Sequence, residues 1–418
     1  MKPNVLSSLR SGAWLTPTRL RAYPVLLIAI TLAAIVAAVD TAHGMIDVTG
    51  RPLGADFSQV WAAGVSVLEG NPALPFDPPQ HYALLRRLFG PATPFYGWHY
   101  PPFFLALATI LAILPYLWAL LVWQASTLAL YGAMIWRVVP DRWVLLGALG
   151  FPAVFVNLGH GHNGFLTAAL LGFGLLALER RPWLAGLCFA LLAYKPQFGL
   201  VLPVALLADR RFLAAAAAAL GVAAMTLASL AGFGLQSWLA FRASLAFTRE
   251  VVLEQGNTGW EKIQSSFSAV RALGAGVPAA YAVQGAVTLV VVIAVAWLWH
   301  GGADRRLKYA GLIIGSLLST PYVLDYDLVA LAPALAFMLS HGREHGFRPW
   351  QKTGMALVYV APFLTRIIAG ATLIPFGLLA MLWFFGMVLA RAKTGSADAE
   401  NSGAGELDQR AKGAVGGR

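Results

Sequence analysis

The stretch Tyr23–Val39, YPVLLIAITLAAIVAAV, is an apolar run long enough to cross a lipid bilayer with help from its flanking residues. A polar island at residues 54–64, GADFSQVWAAG, stands between it and the next hydrophobic block. An acidic side chain in such a place is costly unless it is solvated or used by the protein. The sequence therefore points to a membrane protein and, within it, to Asp56.

The composition supports the same class. The 418 residues are 58% hydrophobic and 12% charged, with a mean hydropathy of +0.67, whereas a soluble protein carries about 25% charged residues. Only helices or a closed barrel satisfy their backbone polar groups in lipid. The apolar runs are continuous rather than alternating, which indicates helices. We predict an all-α polytopic membrane protein with about 12 transmembrane helices.

The net charge of +11 comes from short basic clusters that stand between the apolar runs. This is the positive-inside pattern of membrane proteins, so no nucleic-acid partner is expected. The single cysteine, Cys188, can form no internal disulfide. The pattern predicts a cytoplasmic N-terminus at residues 1–22, a transmembrane domain at 23–392, and a disordered cytoplasmic tail at 393–418.

Two long outer loops are predicted, at residues 41–100 and 234–278. Within the first, residues 80–89, QHYALLRRLF, could form an interfacial amphipathic helix. Its apolar side would carry Leu84, Leu85, Leu88 and Phe89. The hydrophobic block at 101–136, interrupted by Pro115, fits either one long kinked crossing or two short ones.

Three later apolar spans each carry a polar tip near the middle and basic residues at both ends. This pattern indicates helical hairpins with both ends in the cytoplasm. Each arm has about 12–16 residues, roughly 18–24 Å, which is short for a bilayer. The tips at residues 160–163, 195–197 and 325–327 would then lie within the membrane, where irregular backbone lines a cavity. With the first outer loop they could wall one polar cavity.

Two charged residues lead the candidates for chemistry. Asp56 could be a general base at the water–lipid boundary, or it could cap the helix expected to begin at Phe57, and both roles could hold. Lys195 lies in apolar sequence directly before the helix breaker Pro196. This favours a ligand for the phosphate of a lipid-linked substrate, with a snorkelling lysine as the alternative.

The other tips offer polar groups with more than one interpretation. His160 and His162 have a spacing that could suggest a metal pair, but no third ligand is near in sequence. Hydrogen bonding of this tip, including Asn163, to a sugar or phosphate is preferred, with a plain turn as the alternative. Asp325 and Asp327 could contact an acceptor, form an acid–base pair, neutralise the tip lysine, or lie on an exposed tip.

Polar residues of the outer loops are further candidates. Arg249 and Lys262 could hold a phosphate, although a solvated loop is the simpler interpretation. His99 and Tyr100 precede Pro101 as an aromatic belt does at a helix entry, and a sugar-stacking role for Trp98 or Tyr100 is the alternative.

Four motifs occur in order over roughly residues 25–390. They are Asp56-Phe57-xxx-Trp61-Ala62-Ala63-Gly64 with Gly70, Tyr100-Pro101-Pro102, Lys195-Pro196-Gln197, and Ser319-Thr320-Pro321 leading into Asp325-Tyr326-Asp327-Leu328. The ordered set resembles glycosyltransferase family 87, the polyprenyl-phosphate-mannose-dependent mannosyltransferases of bacterial membranes. The resemblance implies a GT-C type fold whose large first outer loop holds a catalytic acidic residue, which is Asp56 here.

The resemblance also implies a reaction. A hexose, expected to be mannose, would pass from a polyprenyl-phosphate donor to a lipid or glycan acceptor hydroxyl at the outer face of the bacterial inner membrane. Asp56 would take the hydroxyl proton in one inverting displacement. Lys195 first, and Arg249 or Lys262 second, would stabilise the leaving phosphate. No cofactor is expected, and no metal is indicated because the sequence has no acidic cluster with clear ligand spacing. The predicted substrate-binding residues are Gln59, Trp61, His99, Tyr100, His160, His162, Asn163, Gln197, Tyr322, Asp325 and Asp327.

A transporter or flippase of lipid-linked sugars is the alternative, because broken helices with polar groups at mid-membrane suit transporters. Against it, the chain shows no internal two-fold repeat, and a long first outer loop suits a cap over an active site. A non-catalytic scaffold is a third possibility and predicts that Asp56 tolerates substitution. An enzyme should gather Asp56, Lys195 and Asp327 in one outer cavity, whereas a transporter needs access from both faces.

Overall fold

A computed structural model describes residues 4–393, so residues 394–418 of the predicted disordered tail lie outside the described residues. The described part is helical and has isolated bridges in place of a sheet. The α-helices are α1 Val5–Ser11, α2 Pro17–Asp40, α3 Phe57–Leu68, α4 Pro78–Phe89, α5 Leu105–Ala112, α6 Tyr116–Val138, α7 Arg142–Leu149, α8 Pro152–His160, α9 Gly164–Ala177, α10 Pro182–Leu191, α11 Leu202–Ala208, α12 Phe212–Phe247, α13 Ser266–Ala272, α14 Val277–His300, α15 Arg305–Leu318, α16 Leu331–His345, α17 Gln351–Thr372 and α18 Phe376–Lys393. The 3₁₀ helices are Leu74–Phe76, Pro102–Phe104, Leu192–Tyr194, Pro196–Gly199 and Asp325–Ala330, and a π-helix spans Thr248–Glu254.

Six helices in the described part of the chain are long and apolar enough to cross a membrane. They are α2, α6, α12 with its π-helical extension, α14, α17 and α18. The pair α7 and α8, bent by 49°, would make a seventh span. Shorter apolar helices of 10–17 residues make up much of the remainder. A multi-pass membrane protein is therefore confirmed, but the predicted count of about 12 transmembrane helices is not.

Each of the three predicted hairpins is interrupted at its polar tip. In the first, α8 ends at His160 and α9 begins at Gly164. In the second, the helical backbone breaks at Lys195 between two short 3₁₀ helices. In the third, α15 ends at Leu318 and helical structure resumes at Asp325. The polar residues thus mark the positions where these helices stop.

The first outer loop folds around an apolar core of its own. The predicted amphipathic helix is present as α4, but the expectation that its apolar side faces the membrane is wrong. Leu84, Leu85 and Phe89 are buried against α3 and α6, and Leu88 packs at the edge of the same core. The Phe89 ring lies 4.8 Å from that of Tyr116. The loop carries enough aromatic surface to bury this face within the protein, so lipid is not needed to cover it.

The block at residues 101–136 forms one short helix and one long helix, which matches neither of the two alternatives left by the sequence. Only α6 is long enough to span, and the short α5 packs closely against α3. A Cβ atom on Gly64 of α3 would clash with the carbonyl oxygen of Ala108 in α5. The glycine is therefore required for this contact, which positions the start of α3.

Charged residues at one set of helix ends form a network that we call the basic end. Lys308 Nζ lies 2.8 Å from Asp209 Oδ1, and Arg211 Nη2 lies 2.6 Å from Glu179 Oε1. These pairs join the ends of α9 and α11 to the starts of α12 and α15. Partly exposed pairs of this kind contribute about 0–1 kcal/mol each. These ion pairs identify the helix ends that lie opposite the three polar tips.

Candidate active site

A group of polar side chains lies where the three broken hairpins meet the start of α3, and we call it the polar cluster. Its members are Asp56, Tyr100, His160, His162, Asn163, Lys195, Asp325, Tyr326, Asp327 and Arg366. They come from six separate parts of the sequence, and the contacts between them are described below.

Asp56 stands at the head of α3, but its side chain makes no capping hydrogen bond, so the capping interpretation is wrong. The Asp56 backbone N–H donates to the carbonyl oxygen of His160 at 2.9 Å. The side-chain Oδ2 lies 3.4 Å from His160 Nδ1, and the Asp56 side chain is 19% exposed. The carboxylate therefore lies beside the first tip. It makes no hydrogen bond to α3 and is exposed enough to contact a ligand.

The first tip is positioned by side chains that replace helical hydrogen bonds. Gly161 adopts the left-handed conformation, with φ at 64°, and its carbonyl oxygen accepts from Trp123 Nε1 at 3.1 Å. Asn157 donates through Nδ2 to the carbonyl oxygen of His162 and accepts from the Gly164 N–H. These bonds fix the break, so His160 and His162 are presented in defined directions.

Tyr100 joins this tip from the end of the first outer loop. Its hydroxyl accepts from Asn163 Nδ2 at 2.8 Å and lies 3.3 Å from His162 Nε2. The His162 ring stacks on Tyr326 with 3.6 Å between centroids. Tyr100 is only 6% exposed, so the prediction of an aromatic belt is wrong for it, and the ring is part of the polar cluster instead.

Lys195 and Asp327 form a buried ion pair across the second and third tips. Lys195 Nζ lies 2.5 Å from Asp327 Oδ1, and the two side chains are 5% and 2% exposed. Asp327 Oδ2 also accepts from the Leu324 N–H at 3.0 Å. The predicted role of Asp327 as a counter-charge is confirmed. The exposed-tip interpretation is wrong for both tip aspartates, because Asp325 is fully buried.

Arg366, near the C-terminal end of α17, was not among the predicted site residues. Its Nε donates to Asp325 Oδ2, and its Nη2 lies 3.1 Å from His160 Nε2. The rule that singled out Lys195, a charged residue inside an apolar run, also applies to Arg366 and would have found it. Tyr326, whose ring contacts both tip histidines, was quoted only as part of a motif.

Three predicted residues near the cluster take no part in these contacts. Gln59 is buried on α3, one turn after Asp56. Trp61 donates through Nε1 to the carbonyl oxygen of Leu114 at 2.9 Å, and its ring packs against the core of the first outer loop. Gln197 lies in the 3₁₀ helix that follows the second tip. The structure therefore leaves their predicted contacts with substrate as predictions.

The second outer loop contributes through its backbone more than through its predicted cations. Arg249 is 58% exposed and lies 3.4 Å from carboxylate oxygens of Glu250 and Glu254. The carbonyl oxygen of Lys262 accepts from the Asp325 N–H at 3.0 Å. The backbone of Lys262 thus helps to position the third tip, and the predicted role of its ammonium group stays a prediction.

Further contacts tie this loop to the helices around the cluster. The Gln264 N–H donates to the carbonyl oxygen of Val323 at 2.7 Å, beside an antiparallel bridge between Ile263 and Leu324. Thr365, the neighbour of Arg366, donates to Gln264 Oε1 at 2.5 Å. The second outer loop therefore contacts both the third tip and the C-terminal part of α17, and holds them in position relative to each other.

His99 connects the two outer loops beside the cluster. Its Nδ1 lies 2.8 Å from the Thr248 hydroxyl, and its ring lies 6.4 Å from that of Tyr322. Burial lowers the pKa of His99 to about 4, although the nearby Asp56 carboxylate acts in the opposite direction. His99 is therefore neutral near pH 7 and can offer a hydrogen bond to a substrate but no positive charge.

Within the described part of the chain, one group of three His and Asp side chains lies close enough together to suggest a metal: Asp304, His341 and His345, at the basic end. His341 Nε2 accepts from Arg391 Nε at 3.0 Å, and Arg306 Nε donates to Asp304 at 3.2 Å. Two arginines therefore occupy lone pairs that a metal would need, and we assign no metal to this group.

The fold and the cluster define a multi-pass membrane protein with a mixed-charge polar site at one end of its helices. The family model for glycosyltransferase family 87 matches residues 98–324, more than half of the chain. The chain belongs to glycosyltransferase family 87 and is a membrane glycosyltransferase. No curated protein and no solved structure matches it. The matched residues include the first two tips but neither Asp56 nor Arg366.

Proposed function

We propose that this glycosyltransferase moves a hexose, expected to be mannose, from a polyprenyl phosphate to a hydroxyl group of a lipid or glycan acceptor. The reaction takes place with inversion at the outer face of a bacterial inner membrane. The observation that carries the proposal is the uncapped carboxylate of Asp56, 3.4 Å from His160 at the edge of a cluster that also contains two cations. Family membership supports the transferase class.

The contacts of the His160 ring favour Asp56 as the base. Arginine only donates, so His160 Nε2 accepts from Arg366 and a neutral His160 carries its proton on Nδ1, towards Asp56. This 3.4 Å approach is not a hydrogen bond, so the carboxylate oxygens of Asp56 stay available to the acceptor hydroxyl. Asp56 takes the hydroxyl proton as the acceptor oxygen attacks the anomeric carbon.

The polyprenyl phosphate leaves with the electrons of the bond that breaks. A phosphate is a good leaving group, so a general acid is not required, and fixed positive charge stabilises the transition state. Lys195 is the first candidate for such a charge, with its Nζ 5.5 Å from the Tyr326 ring centroid, and its ion pair with Asp327 offsets part of that charge. Arg249 and Lys262 of the second outer loop remain secondary candidates for the same role. No cofactor enters this scheme.

The proposal is tested by hexose transfer with the purified full chain in lipid. Synthetic polyprenyl-phosphate-mannose and the corresponding glucose donor are each supplied with extracted membrane lipids and glycans as the acceptor pool. Asp56→Asn keeps the shape of the side chain but cannot accept the proton, so turnover should fall by about 10²–10⁴-fold with donor binding retained. Asp40→Asn, at the exposed end of α2, is the matched control and should retain activity.

The outcomes separate the parts of the proposal. Wild-type transfer that is lost in Asp56→Asn and kept in Asp40→Asn supports the donor class and the base together. Equal turnover by the wild type and Asp56→Asn removes Asp56 from the mechanism. Wild-type protein that transfers hexose from neither polyprenyl-phosphate donor overturns the donor class. Transfer from the glucose donor alone overturns mannose as the sugar.

A further inference from the structure

We infer that Arg366 is the residue that binds the phosphate group of the donor. The inference rests on the proposed function, because it names the ligand of the phosphate in the same site. The sequence pointed instead to Lys195, and the contacts of the two cations favour Arg366.

Lys195 is poorly placed to bind a phosphate directly. Its side chain is 5% exposed, and its ammonium group is bonded to the carboxylate of Asp327, which is 2% exposed. Moving the ammonium to a phosphate would leave a buried carboxylate without its partner, which is strongly unfavourable. Lys195 therefore acts on the donor only at a distance, as the positive end of an ion pair.

The guanidinium group of Arg366 has N–H donors that are available to a ligand. A guanidinium group carries five N–H donors in a planar fork. Among the described residues, Nε donates to Asp325 and one N–H of Nη2 faces His160, which leaves three N–H donors with no partner. The side chain is 34% exposed, so these donors can be reached. A planar fork of this kind binds phosphate oxygens in pairs.

The guanidinium is also held in one orientation before a ligand arrives. Its carboxylate partner, Asp325, is fully buried and bonded through its own N–H to the carbonyl oxygen of Lys262. The neighbouring Thr365 is bonded to Gln264 of the second outer loop. Donors that are already oriented stabilise developing charge without reorganisation, and this is the form of catalysis that a leaving phosphate needs.

The position of Arg366 relative to the base suits a single inverting displacement. One imidazole ring, that of His160, lies between Asp56 and Arg366, with a polar contact at each edge. An inverting displacement needs the base and the group that holds the leaving phosphate on opposite faces of the sugar. A sugar ring lying beside His160 can thus present its acceptor side to Asp56 and its phosphate to Arg366.

The test measures phosphate binding apart from turnover. Arg366→Gln alone would leave Asp325 buried and unpaired, so the informative comparison is Asp325→Asn against the double variant Asp325→Asn/Arg366→Gln, which removes both charges. The readout is inhibition of transfer, and direct binding, by a short-chain prenyl phosphate, with the prenyl alcohol as the ligand that lacks phosphate. Arg87→Gln, in an exposed pair with Glu69, is the matched arginine control.

We expect the double variant to bind prenyl phosphate at least about tenfold more weakly than Asp325→Asn, with prenyl alcohol binding unchanged. Its kcat/KM for the donor should fall by about 10²–10³-fold, as for loss of one preorganised donor. Asp325→Asn/Arg366→Lys should bind prenyl phosphate more tightly than Asp325→Asn/Arg366→Gln, because lysine keeps the positive charge but lacks the planar fork of donors. Arg87→Gln should behave as the wild type.

Two results would overturn the inference in distinguishable ways. If the wild type transfers hexose and the double variant binds prenyl phosphate as tightly as Asp325→Asn, Arg366 is not the phosphate ligand while the proposed function stands. If the wild type neither transfers hexose nor binds prenyl phosphate, the proposed function fails and the inference fails with it.

Discussion

Lys195 Nζ lies 2.5 Å from Asp327 Oδ1, a contact that joins two polar tips 132 residues apart in the sequence. Both side chains are almost fully buried. The pair is therefore a fixed link between the second and third broken hairpins. A link of this kind explains how two charges are tolerated among apolar helices.

The first prediction concerns the stability of this link. Lys195→Met leaves the buried Asp327 carboxylate unpaired and should lower the free energy of unfolding by about 3–5 kcal/mol. Lys195→Met/Asp327→Asn removes both charges and keeps an acceptor for the Leu324 N–H, so most of the loss should be recovered. Chemical unfolding in detergent micelles measures both. An equal loss in the single and the double variant would argue against a buried ion pair.

The second prediction separates the two contacts of His160. His160→Asn keeps a donor near the position of Nδ1, towards Asp56, whereas His160→Gln keeps a polar group near Nε2, towards Arg366. We expect His160→Asn to retain more of kcat and His160→Gln to retain more of the donor affinity. His160→Phe should lose about 100-fold in kcat, the effect expected when a catalytic group moves by about 1 Å.

Steady-state kinetics with donor as the varied substrate provide the measurement for this second prediction. A purely structural role for His160 would lower the amount of folded enzyme in all three variants without a split between kcat and KM. The same kcat and donor KM in His160→Asn and His160→Gln would therefore contradict the assigned contacts.

Much of the candidate site could be predicted from local sequence. Asp56, Lys195 and the two tip aspartates stand out because charge among apolar residues is costly and has to be partnered. The three tips could be placed for the same reason, since a glycine, a proline or an aspartate interrupts each apolar span. Local rules identify these positions because each is a charged or helix-breaking residue within an apolar span, a pattern that is visible within about ten residues.

The partners of these residues could not be predicted in the same way. Arg366 and His160 are 206 residues apart, and the packing of complete helices brings them together. The burial of α4 was missed because an amphipathic pattern shows that a face is apolar but not what covers it. The predicted number of spans was not confirmed, because several apolar runs form helices shorter than 18 residues, such as α5 against α3.

The third prediction tests the α3–α5 contact that positions Asp56. Gly64→Ala places a Cβ atom against the backbone of Ala108, which no side-chain movement can relieve. We expect a loss of about 1–3 kcal/mol, as for overpacked interiors, together with lower activity, because α3 carries Asp56 at its start. Gly285→Ala, where open space surrounds the glycine of α14, is the control and should be neutral or stabilising by up to about 1 kcal/mol. Similar stability of both variants would show that α3 and α5 are not in close contact.

The last prediction concerns the response of the first outer loop to acid. His81 of α4 is fully buried. Burial, and then the neighbouring His99, lower the pKa of His81 to about 3. In the unfolded chain the pKa of a histidine is about 6.5, so between these two values the unfolded state binds the extra proton. The stability contributed by neutral His81 is therefore complete above pH 6.5 and is lost progressively as the pH falls towards 3.

At pH 5 this linkage amounts to a loss of about 2 kcal/mol relative to pH 7. His81→Phe removes the titrating group while keeping an aromatic ring, so its unfolding free energy should change less between the two pH values than that of the wild type. His43→Phe, at an exposed position of the same loop, serves as the control and should keep the wild-type dependence on pH. Chemical unfolding at pH 5 and pH 7 measures all three proteins. If the wild type and His81→Phe lose the same stability on acidification, His81 is not the group that makes this loop sensitive to acid.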